Sequence, residues 1–269
     1  MSNDPTIAIH TRIWREEPEP DNPYATRAAY CRGYDVFGQM VGNARWVEML
    51  VLLFRDELPD AAQLDMLEAL AVALANPGPR DQSVHAAMCG GVGGSTAAAT
   101  LIAALSVGAG RYRGAHDVFD TMTAWEVLGT DLEAWSAHSQ RNTHDDVVDI
   151  WPRQEHPPGF DPHGVSTATS VCQLLETLAR IGATPRLSWL FAHRQELEKA
   201  VGLPLDISGV AAAAFADLGF KPNEGEMLYL LLRLPGAAAH ALEQEGYGYK
   251  QFPFGPVELE DDPAHKETP

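Results

Sequence analysis

The chain has 269 residues, 45% of them hydrophobic and 21% charged, enough to bury a real core in one large domain or two modest ones. Its formal charge of −18, from 37 acidic against 19 basic residues, argues against nucleic acid or an anionic membrane surface as a partner. Cys31, Cys89 and Cys172 stand far apart with no paired spacing, and read as free thiols of a reducing cytoplasm.

The opening MSNDPTIAIHTRIWREEPEPD is acidic and lacks the basic-then-apolar build of a secretory leader. The longest apolar runs, VEMLVLLF and ATLIAAL, are too short to span a bilayer. In PDAAQLDMLEALAVALANPGP, Leu64, Leu67, Ala71 and Leu74 recur at helical spacing, Asp60 stands where a cap belongs, and NPGP at 76–79 cannot continue a helix. GGVGGS at 90–95 resembles a dinucleotide fingerprint, but no strand precedes it, so close helix packing through the glycines is the expectation. STAAATLIAALSVGAG is small and apolar all round, which predicts a helix buried deep in a core. It runs into GAGRYRGAHD, where Arg111, Tyr112, Arg113 and His116 surround Gly110 and Gly114. That segment reads either as punctuation between two helices or as a grip on an anion.

Residues from about 140 to 168 are polar and proline-rich and predict irregular structure, which in a long loop is functional or disordered. His144, Asp145, Asp146, His156 and His163 fall there, but the carboxylates are adjacent rather than a helical turn apart. A solvated loop is favoured, and no metal is expected. STATSVCQLLETLARIG carries Val171, Leu174, Leu175 and Leu178 at helical spacing, with Gly182 as its C-terminal cap. RLSWLFAHRQELEKAVG is a further helix. LPLDISGV sets Asp206 between apolar residues before a small-residue segment, as either a helix N-cap or a buried acid with a tuned pKa. NEGEMLYLLLRLPGAAAHALEQ predicts a helix capped by Asn223. Arg233 sits in its apolar run and, if buried, needs a carboxylate or phosphate partner from the protein or a ligand. The last residues, PVELEDDPAHKETP, read as a mobile acidic tail. Strand-like alternation is scarce and no repeat is present, so the fold class is mostly α.

Several of these segments together resemble the citrate synthase superfamily, and most closely its citryl-CoA lyase branch. TRIW…CRGYDVFGQMVGNARWVEMLVLLFRDELP is similar to the family's opening, in which an RGYD-type turn precedes a helix and Leu-Pro. ANPGPRDQSVHAAM resembles DHGP…SGAH, with Asn76-Pro77-Gly78-Pro79 over DHGP and His85 over the later histidine. GAGRYRGAHDVF resembles GDRFGGALD…F, which puts Tyr112 where lyases have phenylalanine and synthases a catalytic histidine. GLPLDISGVAAAAF resembles NVDGLIGVAF and sets Asp206 on the catalytic aspartate. LLRLPGAAAHALEQEGYGYKQFPF follows GRSMGFIGHYLDQ…LYRHPW, with Arg233 on a citrate-binding arginine and Lys250 where an arginine reaches the neighbouring subunit's site. The chain departs from the pattern where Gly159-Phe160-Asp161-Pro162 replaces Gly-Ile/Phe-Gly-His, leaving His163 one place late.

The resemblance implies a helical homodimer with a large and a small domain in each subunit and the active site in the cleft between them. Residues 1–116 and 204–255 would form the large domain, 117–203 the small one, and 256–269 a flexible tail. It further implies cleavage of citryl-CoA, or the reverse condensation, with coenzyme A entering as acyl-CoA substrate and a small organic acid such as oxaloacetate as its partner. Asp206 would be the acid–base carboxylate, and Asp161, His163 and Tyr112 the groups that stand in for the absent histidines. Arg233, Arg111, Arg113, His85 and Lys250 would hold the anionic substrate, with sites completed across the dimer interface. The alternative reading is a catalytically silent relative that binds acyl-CoA or an organic acid in a regulatory or partner role.

Overall fold

The computed structural model describes residues 9–140, 156–182, 184–252 and 255–257. An antiparallel hairpin of β1 (Trp14–Pro18) and β2 (Thr26–Cys31), with a two-residue third strand β3 (Tyr34–Asp35), opens the chain. Trp14 pairs with Cys31 and Glu16 with Ala29, and the register slips between Glu17 and Pro18. The sequence hid this sheet because only two of the eleven hairpin positions, Ala29 and Cys31, are buried. With so little burial, the alternation that marks a half-buried strand is weak. Among the described residues, a π-helical turn at Val36–Met40 leads into ten α-helices.

These are α1 (Trp46–Phe54), α2 (Ala61–Leu74), α3 (Gln82–Val92), α4 (Ala97–Gly108), α5 (Ala115–Leu128), α6 (Leu132–Gln140), α7 (Thr169–Ile181), α8 (Pro185–Val201), α9 (Ile207–Asp217) and α10 (Pro222–Tyr247). Helix α2 begins as expected, with Asp60 and Gln63 forming a reciprocal capping box. In α7, Val171, Leu174, Leu175 and Leu178 are all buried. Gly182 does end α7 but in extended rather than left-handed backbone, whereas Gly202 closes α8 at φ 84°. Asn223 does not cap α10. The helix starts one residue earlier at Pro222, a ring suited to the first turn, and Glu224 reaches back 2.8 Å to the Lys221 N–H.

The chain divides into two compact units, the boundary falling between Leu232 and Arg233 of α10. Unit 1 comprises residues 1–75 and 109–232, and unit 2 residues 76–108 and 233–269. Unit 1 holds the main core. Here α5 packs on α9, α8 on α6 and α9, and α2 on α7, around Leu67, Leu70, Leu175, Leu178, Leu190 and Phe215. Trp125 is central to it, edge-on to Trp135 and Trp189 at 4.9 and 5.7 Å.

Unit 2 is built on α3 and α4, with Val84, Ala87, Ala104, Ala237 and Ala241 as its small core. Two of the four glycines of GGVGGS, Gly90 and Gly91, do serve packing. A methyl group at Gly91 would collide with the backbone of Ala241, and one at Gly90 would press on Thr100. Gly91→Ala is therefore expected to cost about 1–3 kcal/mol of stability, because backbone, unlike a side-chain tip, cannot swing aside. Urea unfolding checks this, and an unchanged midpoint would show that α3 and α10 can part freely.

The expectation for α4 does not hold in this chain. Of its twelve residues only Thr100, Ala104 and Gly108 are buried, while Ile102 is 61% and Val107 42% exposed. One narrow face packs within unit 2, and Leu101, Ala103 and Leu105 beside it are half-buried. Among the described residues, no helix is long and apolar enough to cross a membrane. Cys31 is buried, with its thiol pKa raised by that burial, Cys172 is half-buried and Cys89 exposed, and all three are free.

Candidate active site

In unit 1 the candidate residues are organised by a short pairing of two loops. Phe160 forms an antiparallel bridge with Leu205, the Asp161 N–H donates to Pro204 O at 2.9 Å, and the Asp206 N–H donates to Gly159 O at 3.0 Å. This holds Asp161 and Asp206 in adjacent paired segments. The approach needs glycine twice. Gly159 adopts φ 84°, where a side chain is strained, and a methyl group on Gly209 would strike the Gly159 carbonyl.

Asp206 occupies the N-cap position of α9, yet its carboxylate caps nothing. Its Oδ2 accepts instead from the hydroxyl of Ser208 at 3.3 Å. An aspartate at this position ordinarily satisfies the second or third helical N–H. Here it meets a side chain of the first turn instead of a backbone N–H, and remains half-buried.

Beneath this segment lies a group that sequence reasoning missed. Asp117 of α5 is only 2% exposed, and both of its oxygens accept from the Gly159 N–H at 3.2 Å. Burial pushes its carboxyl up to about 7, despite hydrogen bonds from Ser208 and Gly159 that favour the ion, and the charges of Asp206 and Asp120 push the same way as burial. A signal was present. Ala115, Val118, Thr121, Met122 and Trp125 form the buried face of α5, and Asp117 falls among them, a carboxylate on an apolar stripe.

The other unit 1 candidates are less gathered. Tyr112 lies with its ring 5.9 Å from that of His156. Asp161 is half-buried and accepts the His163 N–H at 3.0 Å, a local turn that leaves His163 exposed. Arg111 lowers the pKa of Asp120, as does His116, against a larger upward push from burial. His116 itself lies 3.1 Å from Glu226 and 3.7 Å from Asp120, and stacks on Phe119. The GAGRYRGAHD segment thus feeds a half-buried charge cluster of this chain, while Arg113 is exposed at φ 58°.

In unit 2, Arg233 is 5% exposed and its guanidinium pairs with Asp81. Asp81 also caps α3, accepting from the N–H groups of Ser83 and Val84. The partner that a buried arginine demands is therefore a protein side chain. His85 is exposed, its ring 6.1 Å from Phe252, and Lys250 is exposed in a short helical turn at Tyr249–Gln251. Among the described residues no group of three or more His, Cys, Asp or Glu is placed to hold a metal. His144, Asp145 and Asp146 lie outside the described residues.

No family model and no curated relative matches the chain by sequence. Solved structures do match it. A citryl-CoA lyase from Hydrogenobacter thermophilus superposes with a TM-score of 0.69 at 19% identity, covering 97% of this chain and 95% of that one. The chain has the citrate synthase fold. An ATP citrate lyase from Methanothrix soehngenii, solved with citrate and coenzyme A, gives 0.67 at 18% identity over 94% of this chain and 42% of that one. A citrate synthase from Thermotoga maritima gives 0.57 at 17% identity over 82% and 60%. The likeness to the lyase runs over nearly the full length of both chains.

Proposed function

We propose that the chain breaks or forms a carbon–carbon bond between an acyl-CoA and a small keto acid such as oxaloacetate, in the manner of a citryl-CoA lyase. The observation that carries this reading is Asp206, set at a helix start without capping it, above a buried second carboxylate. In citryl-CoA cleavage a base takes the proton of the tertiary hydroxyl, the carbon–carbon bond breaks to give oxaloacetate, and acetyl-CoA leaves as its enolate. An acid then returns a proton to the enolate carbon. Asp206 is assigned to that carbon, in cleavage as acid and in condensation as base.

Asp161 and His163 are the candidates to move the hydroxyl proton, and the Tyr112 hydroxyl to support the developing oxyanion. Arg113 and Lys250, both exposed, offer positive charge to the carboxylates and phosphates of the substrates, with Lys250 serving a neighbouring copy. A ligand role for Arg111 or Arg233 competes with Asp120 and Asp81. The second reading, a silent relative that binds acyl-CoA or an organic acid, is favoured instead by the departure at Gly159-Phe160-Asp161-Pro162, where the family pattern carries a histidine.

Incubation with citryl-CoA, and separately with acetyl-CoA and oxaloacetate, tests the first reading. Free thiol and oxaloacetate are followed over time. Turnover in either direction supports a lyase or condensing enzyme, whereas acyl-CoA binding without turnover supports the silent relative.

We also propose that the exposed side of α4, with Ile102 and Val107, meets a second copy of the chain. Light scattering is expected to give twice the chain mass, and Ile102→Glu to give the monomer, because a buried charge there would be unpaired. A wild-type monomer at micromolar concentration would sink the assignment.

A further inference from the structure

We infer that Asp117 is a positioning residue for Asp206, acting through the one hydroxyl proton of Ser208 that the two carboxylates share. This rests on the reading of Asp206 as the acid–base group. Ser208 is fully buried, donates to Oδ2 of Asp206 at 3.3 Å, and its hydroxyl favours the ionised form of Asp117. A serine hydroxyl carries a single proton and can donate to one acceptor at a time.

The consequence is a two-position arrangement. When Asp117 is protonated, its own O–H donates to Ser208, and Ser208 donates onward to Asp206. The carboxylate of Asp206 is then held in place, at the end of a chain of two bonds running one way. When Asp117 is ionised, it draws the Ser208 proton to itself while keeping the Gly159 N–H, and Asp206 loses that donor. The same Gly159 lends its carbonyl to the Asp206 N–H, so Asp117 holds both the backbone and the side chain of the segment. The charged groups facing Asp117 are Asp206 from the start of α9 and Asp120 from its own helix; Arg111, His116 and Glu226 act on Asp120.

The test is a site-resolved titration of the Asp117 carboxyl carbon by NMR in wild type, Ser208→Ala and Asp206→Asn, which needs no turnover. Ser208→Ala is expected to raise the Asp117 midpoint by about one pH unit, since a donor to the ion is lost. Asp206→Asn is expected to lower it, since a neighbouring negative charge is lost. Midpoints that stay put in both variants overturn the coupling, whether or not the protein turns over citryl-CoA. Where turnover is found, the kcat/KM profile is expected to carry a limb at the Asp117 midpoint that moves with it in Ser208→Ala and vanishes in Asp117→Asn. A limb that stays fixed while Asp117 shifts also overturns the inference. Shifted midpoints without any turnover support the shared proton and retire the citrate reaction instead.

Discussion

Asp206→Asn is expected to slow citryl-CoA cleavage, or its reverse, by about a hundred- to ten-thousandfold, the range that positioned acid–base groups supply. The substitution keeps the shape of the side chain and an oxygen that can accept from Ser208, so the loop pairing of Gly159–Asp161 with Pro204–Asp206 has no reason to open. What it removes is the group that gives and takes a proton at the enolate carbon. Acyl-CoA affinity by calorimetry should remain within a few-fold of wild type, since Asp206 is not assigned to hold an anion. Turnover that survives the substitution would move the chemistry to another carboxylate, and Asp161 would be the next to replace. Loss of affinity together with turnover would show instead that the carboxylate organises the whole site.

Asp117→Asn is expected to change how stability depends on pH. The carboxyl lies at about 7 in the folded chain against an ordinary value near 3.8, so between these limits the folded state binds a proton that the unfolded state does not. Stability contributed by the neutral, buried form is complete below about 4 and is lost as pH rises through 7. The slope is roughly 1.4 kcal/mol per pH unit, about 4 kcal/mol over the window if burial acts in full. Asparagine copies the neutral acid: its oxygen can accept the Gly159 N–H and its amide can donate to Ser208. Unfolding free energies of the two proteins, measured from pH 4.5 to 8, should therefore diverge as pH rises, with the variant the more stable at the alkaline end. Parallel curves would show that Asp117 is not the buried group the geometry describes. The comparison matters because the chain is strongly acidic, and its general repulsion changes with pH in both proteins alike.

Both expectations turn on one small region, and its residues differ in how far the sequence announced them. Asp206 was visible because a carboxylate before ISGVAAAAF stands at a helix start. Its two alternative readings were separated only by the fold, which shows a cap position without a cap. Asp117 was missed although it lies on the apolar face of its own helix, because one acid in a stripe is lost among many in a chain so rich in them. Its neighbours arrive from far away: Gly159 is 42 residues distant.

The sequence by itself determined what local rules can determine. Asp60 and the leucines of α2, the apolar stripe of α7 and the glycine at which it stops all follow from capping and periodicity within a few turns. The mostly helical class and the citrate synthase-like fold were legible too, through the order of several weak segments. Tertiary structure alone decided which face of α4 is covered, because uniform small apolar residues carry no periodic mark of a buried side. It also decided that Arg233 meets Asp81, 152 residues away, and that Ser208 lies between two carboxylates from different elements. Pairings of that kind depend on where the chain returns in space, and spacing along the chain does not encode the return.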